Sequence, residues 1–134
     1  METMQIYPKK FLFESGGFAS RETKIEWRGN ELHFCQNEPG EFNESALEVI
    51  VPSKEQWSAF QLGLEDIGAL LWKQKYEDKH VVDGCFINIL ISFNITIKCN
   101  CYHLEPPNFS LFLDLINTLT KTGPSDNDLI TELF

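Results

Sequence analysis

Basic side chains are scarce in this chain: Lys and Arg number 11 against 20 Asp and Glu, a formal net charge of −9 at pH 7. A protein that tracks a phosphate backbone needs a positive surface, so nucleic acid is not expected as a partner. Long apolar runs are missing too. No stretch approaches the roughly twenty apolar residues of a membrane helix, so no membrane span is expected. The opening Met1-Glu2-Thr3-Met4-Gln5 has no cationic stretch leading into an apolar one. A secretory leader is therefore not expected, and a cytoplasmic location is. Cysteine occurs at four positions, Cys35, Cys85, Cys99 and Cys101; in a reducing compartment free thiols are the default. No P-loop, no HExxH and no Ser-His-Asp order occurs.

What is present points to an ordinary core. The chain has 134 residues, 43% of them hydrophobic and 13% aromatic. That length suits one domain, 1–134, able to remove roughly two-thirds of its unfolded surface from water.

Alternation marks most of the strands. Residues 5–14 read as a first strand with Ile6, Phe11 and Phe13 apolar, and Ser15-Gly16-Gly17 reads as a turn after it. In 21–28, Thr23, Ile25 and Trp27 alternate with Glu22, Lys24, Glu26 and Arg28. Gly29-Asn30 is a hairpin signal, and 31–36 returns with Leu32 and Phe34 inward. Residues 37–45 read as a loop. A fourth strand, 46–51, has Leu47, Val49 and Val51 as its apolar face, and Pro52 stops it. Ser53 with Gln56 forms a capping box. Trp57, Phe60, Leu64, Ile67 and Leu71 then step at helical spacing, with Gly68 as the left-handed end. Residues 70–76 fit a strand or a continued helix. Residues 85–102 carry Ile87, Ile89 and Ile91, a turn near Ser92 to Asn94, and then Ile95, Ile97, Cys99 and Cys101 on one face. Asn108 is placed to cap a second helix with Phe109, Phe112, Leu113, Ile116 and Leu119 on its stripe. Gly123-Pro124 ends that helix, and 125–134 forms an apolar tail. The expectation is an α+β fold: a single, mainly antiparallel sheet with two helices packed on one face, in the order four strands, helix, two or three strands, helix.

Few constellations suggest chemistry. His33-x-Cys35 and Cys99-x-Cys101-x-His103 are soft-ligand sets, each on one face of a strand, and would suit zinc if the two strands were neighbours. Otherwise Cys99 and Cys101 are small core hydrophobes. Ser15-Gly16-Gly17 leads into a charged strand and not into a helix, so it does not fit a phosphate cradle. Trp27, Trp57 and Trp72 fit core positions as readily as a ligand platform.

The string Phe11-Leu12-Phe13-Glu14-Ser15-Gly16-Gly17-Phe18-Ala19, then Trp57 and Phe60, Trp72 and Tyr76, Asp83-Gly84, and Tyr102 to Phe112, resembles a family of small, largely uncharacterised bacterial domains. These carry an SGGFA turn, a W…Y…DG passage and a Y…P…F passage before the last helix. Ser20 departs from that pattern, as do the late prolines Pro106 and Pro107. The SGGFA segment is also similar to emfourin-type inhibitors of thermolysin-like metalloproteases, which implies a non-catalytic binding role.

The expected function is a protein-binding module of inhibitor or immunity type, without cofactor, whose partner is a basic protein. Its contact surface is expected at Gly16, Gly17, Phe18, Trp72, Tyr76, Asp83 and Tyr102. One alternative is a small metal-dependent or other enzyme using His33, Cys99, Cys101 and His103. The other is a structural homo-oligomer formed through a strand edge or the apolar tail.

Overall fold

The computed structural model describes residues 6–17, 22–37, 48–78, 80 and 85–120. Within them run β1 (Lys10–Gly17), β2 (Glu22–Arg28), β3 (Glu31–Asn37), β4 (Glu48–Ile50), α1 (Lys54–Asp66), a single 3-10 turn (Ala69–Leu71), β5 (Lys75–Glu77), β6 (Cys85–Ser92), β7 (Thr96–Tyr102) and α2 (Phe109–Thr120). Residues 38–45 of the expected loop, Leu47 of the expected fourth strand, the positions Phe18, Asp83 and Gly84, the Gly123-Pro124 helix end and the 125–134 tail lie outside the described residues.

The fold is α+β, with two helices and one seven-stranded sheet in the order β4-β3-β2-β1-β6-β7-β5. The sheet is mixed, which corrects the expectation of a mainly antiparallel one: β5 runs parallel to β7, with Tyr76 opposite Cys101. A parallel neighbour needs a long crossover. Here the chain between β5 and β7 contains the whole of β6, so this pairing leaves no local signature.

β1 runs three residues further than its sequence suggests. Ser15, Gly16 and Gly17 are strand residues paired with Ile87, Phe86 and Cys85, not a turn. The alternation that places Phe11 and Phe13 inward continues to Ser15, which is buried at 3% exposure. β4 is corrected in phase. Ile50, opposite Leu32, is its buried member, whereas Val49 and Val51 are 50% and 70% exposed. Ile95 and Leu71, also expected inward, are exposed as well.

The helix signals match the structure at α1. The Ser53 hydroxyl accepts from Gln56 N, and the Gln56 side chain accepts from Ser53 N, satisfying two orphan donors of the first turn. Gly68 closes the helix with φ 79, a left-handed conformation that suits a residue without Cβ. Asn108 departs from its expected role. With φ 61, it sends its amide Nδ2 to the Ile67 carbonyl at 2.9 Å, so its side chain caps the end of α1. Its own carbonyl still accepts the first bonds of α2, from Leu111 and Phe112. This one residue ties the close of one helix to the start of the next.

The core is aromatic. Trp57 is fully buried and meets Phe11, Trp27, Phe60 and Phe93 edge-on at 5.8, 5.4, 6.2 and 6.0 Å between ring centroids. Such pairs add about 0.5–1.5 kcal/mol each beyond their burial. Phe112 of α2 meets Phe13 at 5.8 Å. Gly63 on α1 sits where a Cβ would collide with the Leu115 side chain of α2, so its bareness lets the helices approach. No helix among the described residues is long and apolar enough to cross a membrane.

Candidate functional site

The register divides every strand between two sides. Phe11, Phe13, Ile25, Leu32, Phe34, Ile87, Ile89, Ile91, Ile97, Cys99 and Cys101 are buried on the inner side. Their sequence neighbours form the outer side. Reading across matched positions, one outer row runs Glu22, Gly16, Phe86, Tyr102, Glu77. The row is built around a missing side chain. A Cβ on Gly16 would stand 3.1 Å from Phe86 Cε1 and 3.2 Å from Glu22 Cγ, so the Phe86 ring lies over the bare glycine. Phe86 then pairs directly with Tyr102 on β7, and both rings are half-buried.

Charge is distributed unevenly along this side. Within the row the charged side chains are the carboxylates of Glu22 and Glu77; Lys75, one row on, reaches Glu77 at 3.1 Å. The cations Lys10, Arg28 and Lys98 sit toward the other end of the strands, by their pairing with Ser92, Glu31 and Leu90. Between these ends, Asn88 Nδ2 donates to Glu14 Oε1 at 3.3 Å, and Glu26 holds Arg28 Nε at 2.9 Å. The Glu26–Arg28 pair is exposed and contributes little to stability, about 0–1 kcal/mol.

The expected contact residues divide between the two sides. Gly16 and Tyr102 come together on the outer row, and Gly17 ends the same strand beside Cys85. Trp72 and Tyr76 do not join them; both pack against the core. Trp72 stacks edge-on to Phe112 at 5.4 Å and donates Nε1–H to the Pro107 carbonyl at 2.9 Å. Tyr76 accepts from Lys73 N at 3.0 Å through its hydroxyl. Phe86 is the residue that sequence reasoning missed. Its place opposite Gly16 was hidden as long as Gly16 read as a turn.

The histidine–cysteine set is not assembled. His33 and Cys35 are on β3, Cys99 and Cys101 on β7, and β2, β1 and β6 stand between. Four strand spacings of ~4.8 Å put roughly 19 Å between those strands. The two pairs also face opposite sides, since His33 alternates with the buried Leu32 and Phe34 while Cys99 and Cys101 are themselves buried. His33 Nε2 lies 3.0 Å from Glu31 Oε1, and its Nδ1 is buried without a hydrogen-bond partner. His103 is exposed just past β7 at φ 57. Among the described residues no three His, Cys, Asp or Glu side chains gather as a metal site.

Cys99 and Cys101 do meet each other, with 3.6 Å between sulfurs. The hydrogen bond to Cys99 and burial push the Cys101 thiol well above its ordinary range, and the Glu105 charge adds to this. An apolar groove of about 210 Å³ lies between α1, the 3-10 turn and the β6–β7 turn, walled by Leu62, Leu64, Leu70, Phe93, Ile95 and Ile97.

No protein-family model, no curated protein and no solved structure matches this chain.

Proposed function

We propose that this chain is a non-catalytic protein-binding module, of the inhibitor or immunity type, whose partner is basic. Part of the reading is that both helices pack on one side of the sheet and leave the other to the partner. In support, Trp57 and Phe60 of α1 meet Phe11 while Phe112 of α2 meets Phe13, and these are alternate residues of one strand. The observation that carries the proposal is the outer row in which Phe86 and Tyr102 lie side by side between Glu22 and Glu77. A Lys or Arg laid on such rings gains about 0.5–1 kcal/mol from cation–π attraction at an exposed site. Flanking carboxylates orient it, and a net charge of −9 speeds encounter with a basic protein. The resemblance of the SGGFA segment, residues 15–19, to emfourin-type inhibitors fits the same role.

The test is affinity capture from the source lysate at low and high salt. Wild type is compared with a Glu22→Lys/Glu77→Lys double variant, a Tyr102→Ala variant, and Leu111→Ser on the exposed side of α2 as control. The expected result is one basic protein held at low salt, released at high salt, lost with the double variant and Tyr102→Ala, and kept by the control. Identical recovery by all four proteins, or no recovery, contradicts the proposal.

A second reading, self-association, is favoured by the apolar groove and its exposed Leu62, Leu70 and Ile95. A single monomeric peak in sizing chromatography at high protein concentration ends it.

A further inference from the structure

We infer that Cys99 and Cys101 form a two-sulfur binding site for trivalent, monosubstituted arsenicals, in which one arsenic bridges the two thiols. The pair is preset by the strand. Residues two apart on β7 project to the same side, and here the sulfurs stand 3.6 Å apart, with Cys99 at 0% and Cys101 at 4% exposure. Both thiols are free. Their cross-strand neighbours are Ile89, Ile87 and Tyr76, which offer no ligand but Tyr76, and its hydroxyl is engaged by Lys73 N.

Three ways of using two thiols compete, and the surroundings discriminate among them. Zinc takes four ligands in a closed site, and no third or fourth ligating side chain gathers here among the described residues. A disulfide needs Cα atoms at most about 6.8 Å apart, whereas two steps of an extended strand span about 6.6–6.8 Å. The sulfurs would have to close from 3.6 Å to bonding distance at the limit of that range. A single bridging atom asks for less, because a bent S–As–S centre holds its two sulfurs well beyond bonding distance.

Charge favours the same answer. The hydrogen bond to Cys99 and burial keep Cys101 protonated, and Glu105 opposes a thiolate there, while the same hydrogen bond lowers the Cys99 thiol, so the pair gives up one proton far more readily than two. A buried bis-thiolate would be costly without full compensation. Condensation avoids it: R–As=O and two thiols give R–As(S)2 and one water. Two As–S bonds form while the As–O double bond and two S–H bonds break. Both protons leave on the oxygen, arsenic stays trivalent, and nothing charged enters the core. Access comes by local opening, and Tyr76, opposite Cys101, belongs to a three-residue edge strand.

The experiment treats the native full chain with phenylarsine oxide at neutral pH and reads the intact mass. The expected result is one phenylarsenic per chain in wild type and in a Cys35→Ser/Cys85→Ser variant, reversed by a small-molecule dithiol. Cys99→Ser and Cys101→Ser, shown folded by circular dichroism, are expected to lose the adduct. Peptide mapping of the wild-type adduct bears on the site even if a variant fails to fold, and is expected to join residues 99 and 101. An adduct mapped to Cys35 or Cys85, an adduct retained by the single variants, or no adduct in the native protein overturns the inference.

Discussion

The inner and outer sides of one sheet are made by the same strands and behave as different materials. On the inner side, Phe11, Phe13, Ile25, Leu32, Ile87, Ile89 and Ile91 are all at most 2% exposed, and rings of Trp57, Phe60 and Phe112 lie against them. On the outer side, β2 alone places Glu22, Lys24, Glu26 and Arg28 toward solvent. The inner side owes its stability to close packing, where each missing atom leaves a void. The outer side owes little to any one contact, and its side chains are free to be chosen for recognition. The Phe86–Tyr102 pair is the exception, aromatic area on the side that stability does not require.

Substitutions of decreasing severity sharpen this contrast. Trp57→Ala removes a fully buried ring touching four aromatic neighbours. It is expected to cost about 3–5 kcal/mol in urea unfolding; a loss comparable to that of an outer-side substitution would remove the distinction. Gly68→Ala puts a Cβ on a residue at φ 79 with open space around it. Its expected cost of about 1–2 kcal/mol is backbone strain alone, and Gly68→Asn should recover part of it.

The inner side also carries a pH signature. Cys99 and Cys101 titrate as a pair: their mutual hydrogen bond holds the Cys99 thiol below its ordinary range and the Cys101 thiol above it, so the folded pair keeps one proton, and the stability this lends is complete below the unfolded thiol's range and lost as pH rises above it. The unfolded chain then gives up a proton that the folded chain keeps. Above about pH 8.5, stability should decline by up to ~1.4 kcal/mol per pH unit from this group, and Cys101→Ala should flatten that slope. Unfolding midpoints measured from pH 7 to 10 check it. Ser53→Ala, which breaks the capping box, should cost about 1 kcal/mol. Last, Glu26→Ala on the outer side loses an exposed contact to Arg28 and is expected to change stability by less than ~0.5 kcal/mol.

The inner side was the more legible of the two. Thr23 and Ile25 on β2, Ile87 to Ile91 on β6, the α1 stripe as far as Ile67 and the α2 stripe follow periods of two or nearly four, and burial obeys them. The failures share one cause: a local pattern that long-range pairing overrides. Gly16 and Gly17 look like a turn until β6 lies beside them. Val49 and Val51 are apolar at a short edge strand where Ile50 alone reaches the core. β5 is three residues long and exists through a parallel partner far along the chain. The site was half legible for the same reason. Gly16 and Tyr102 were identified separately, but nothing local says that Phe86 lies between them. Nor could the chain order of Cys35 and Cys99 say that three strands would part them.

Hydroxyl-radical footprinting of the chain, alone and with its captured partner, tests the two-sided account most directly. The account predicts that Phe86 and Tyr102 are modified in the free chain, that Phe13 and Ile89 are not, and that the partner protects Phe86 and Tyr102 while leaving Leu111 reactive. Protection of Leu111 with Phe86 and Tyr102 unchanged would contradict it.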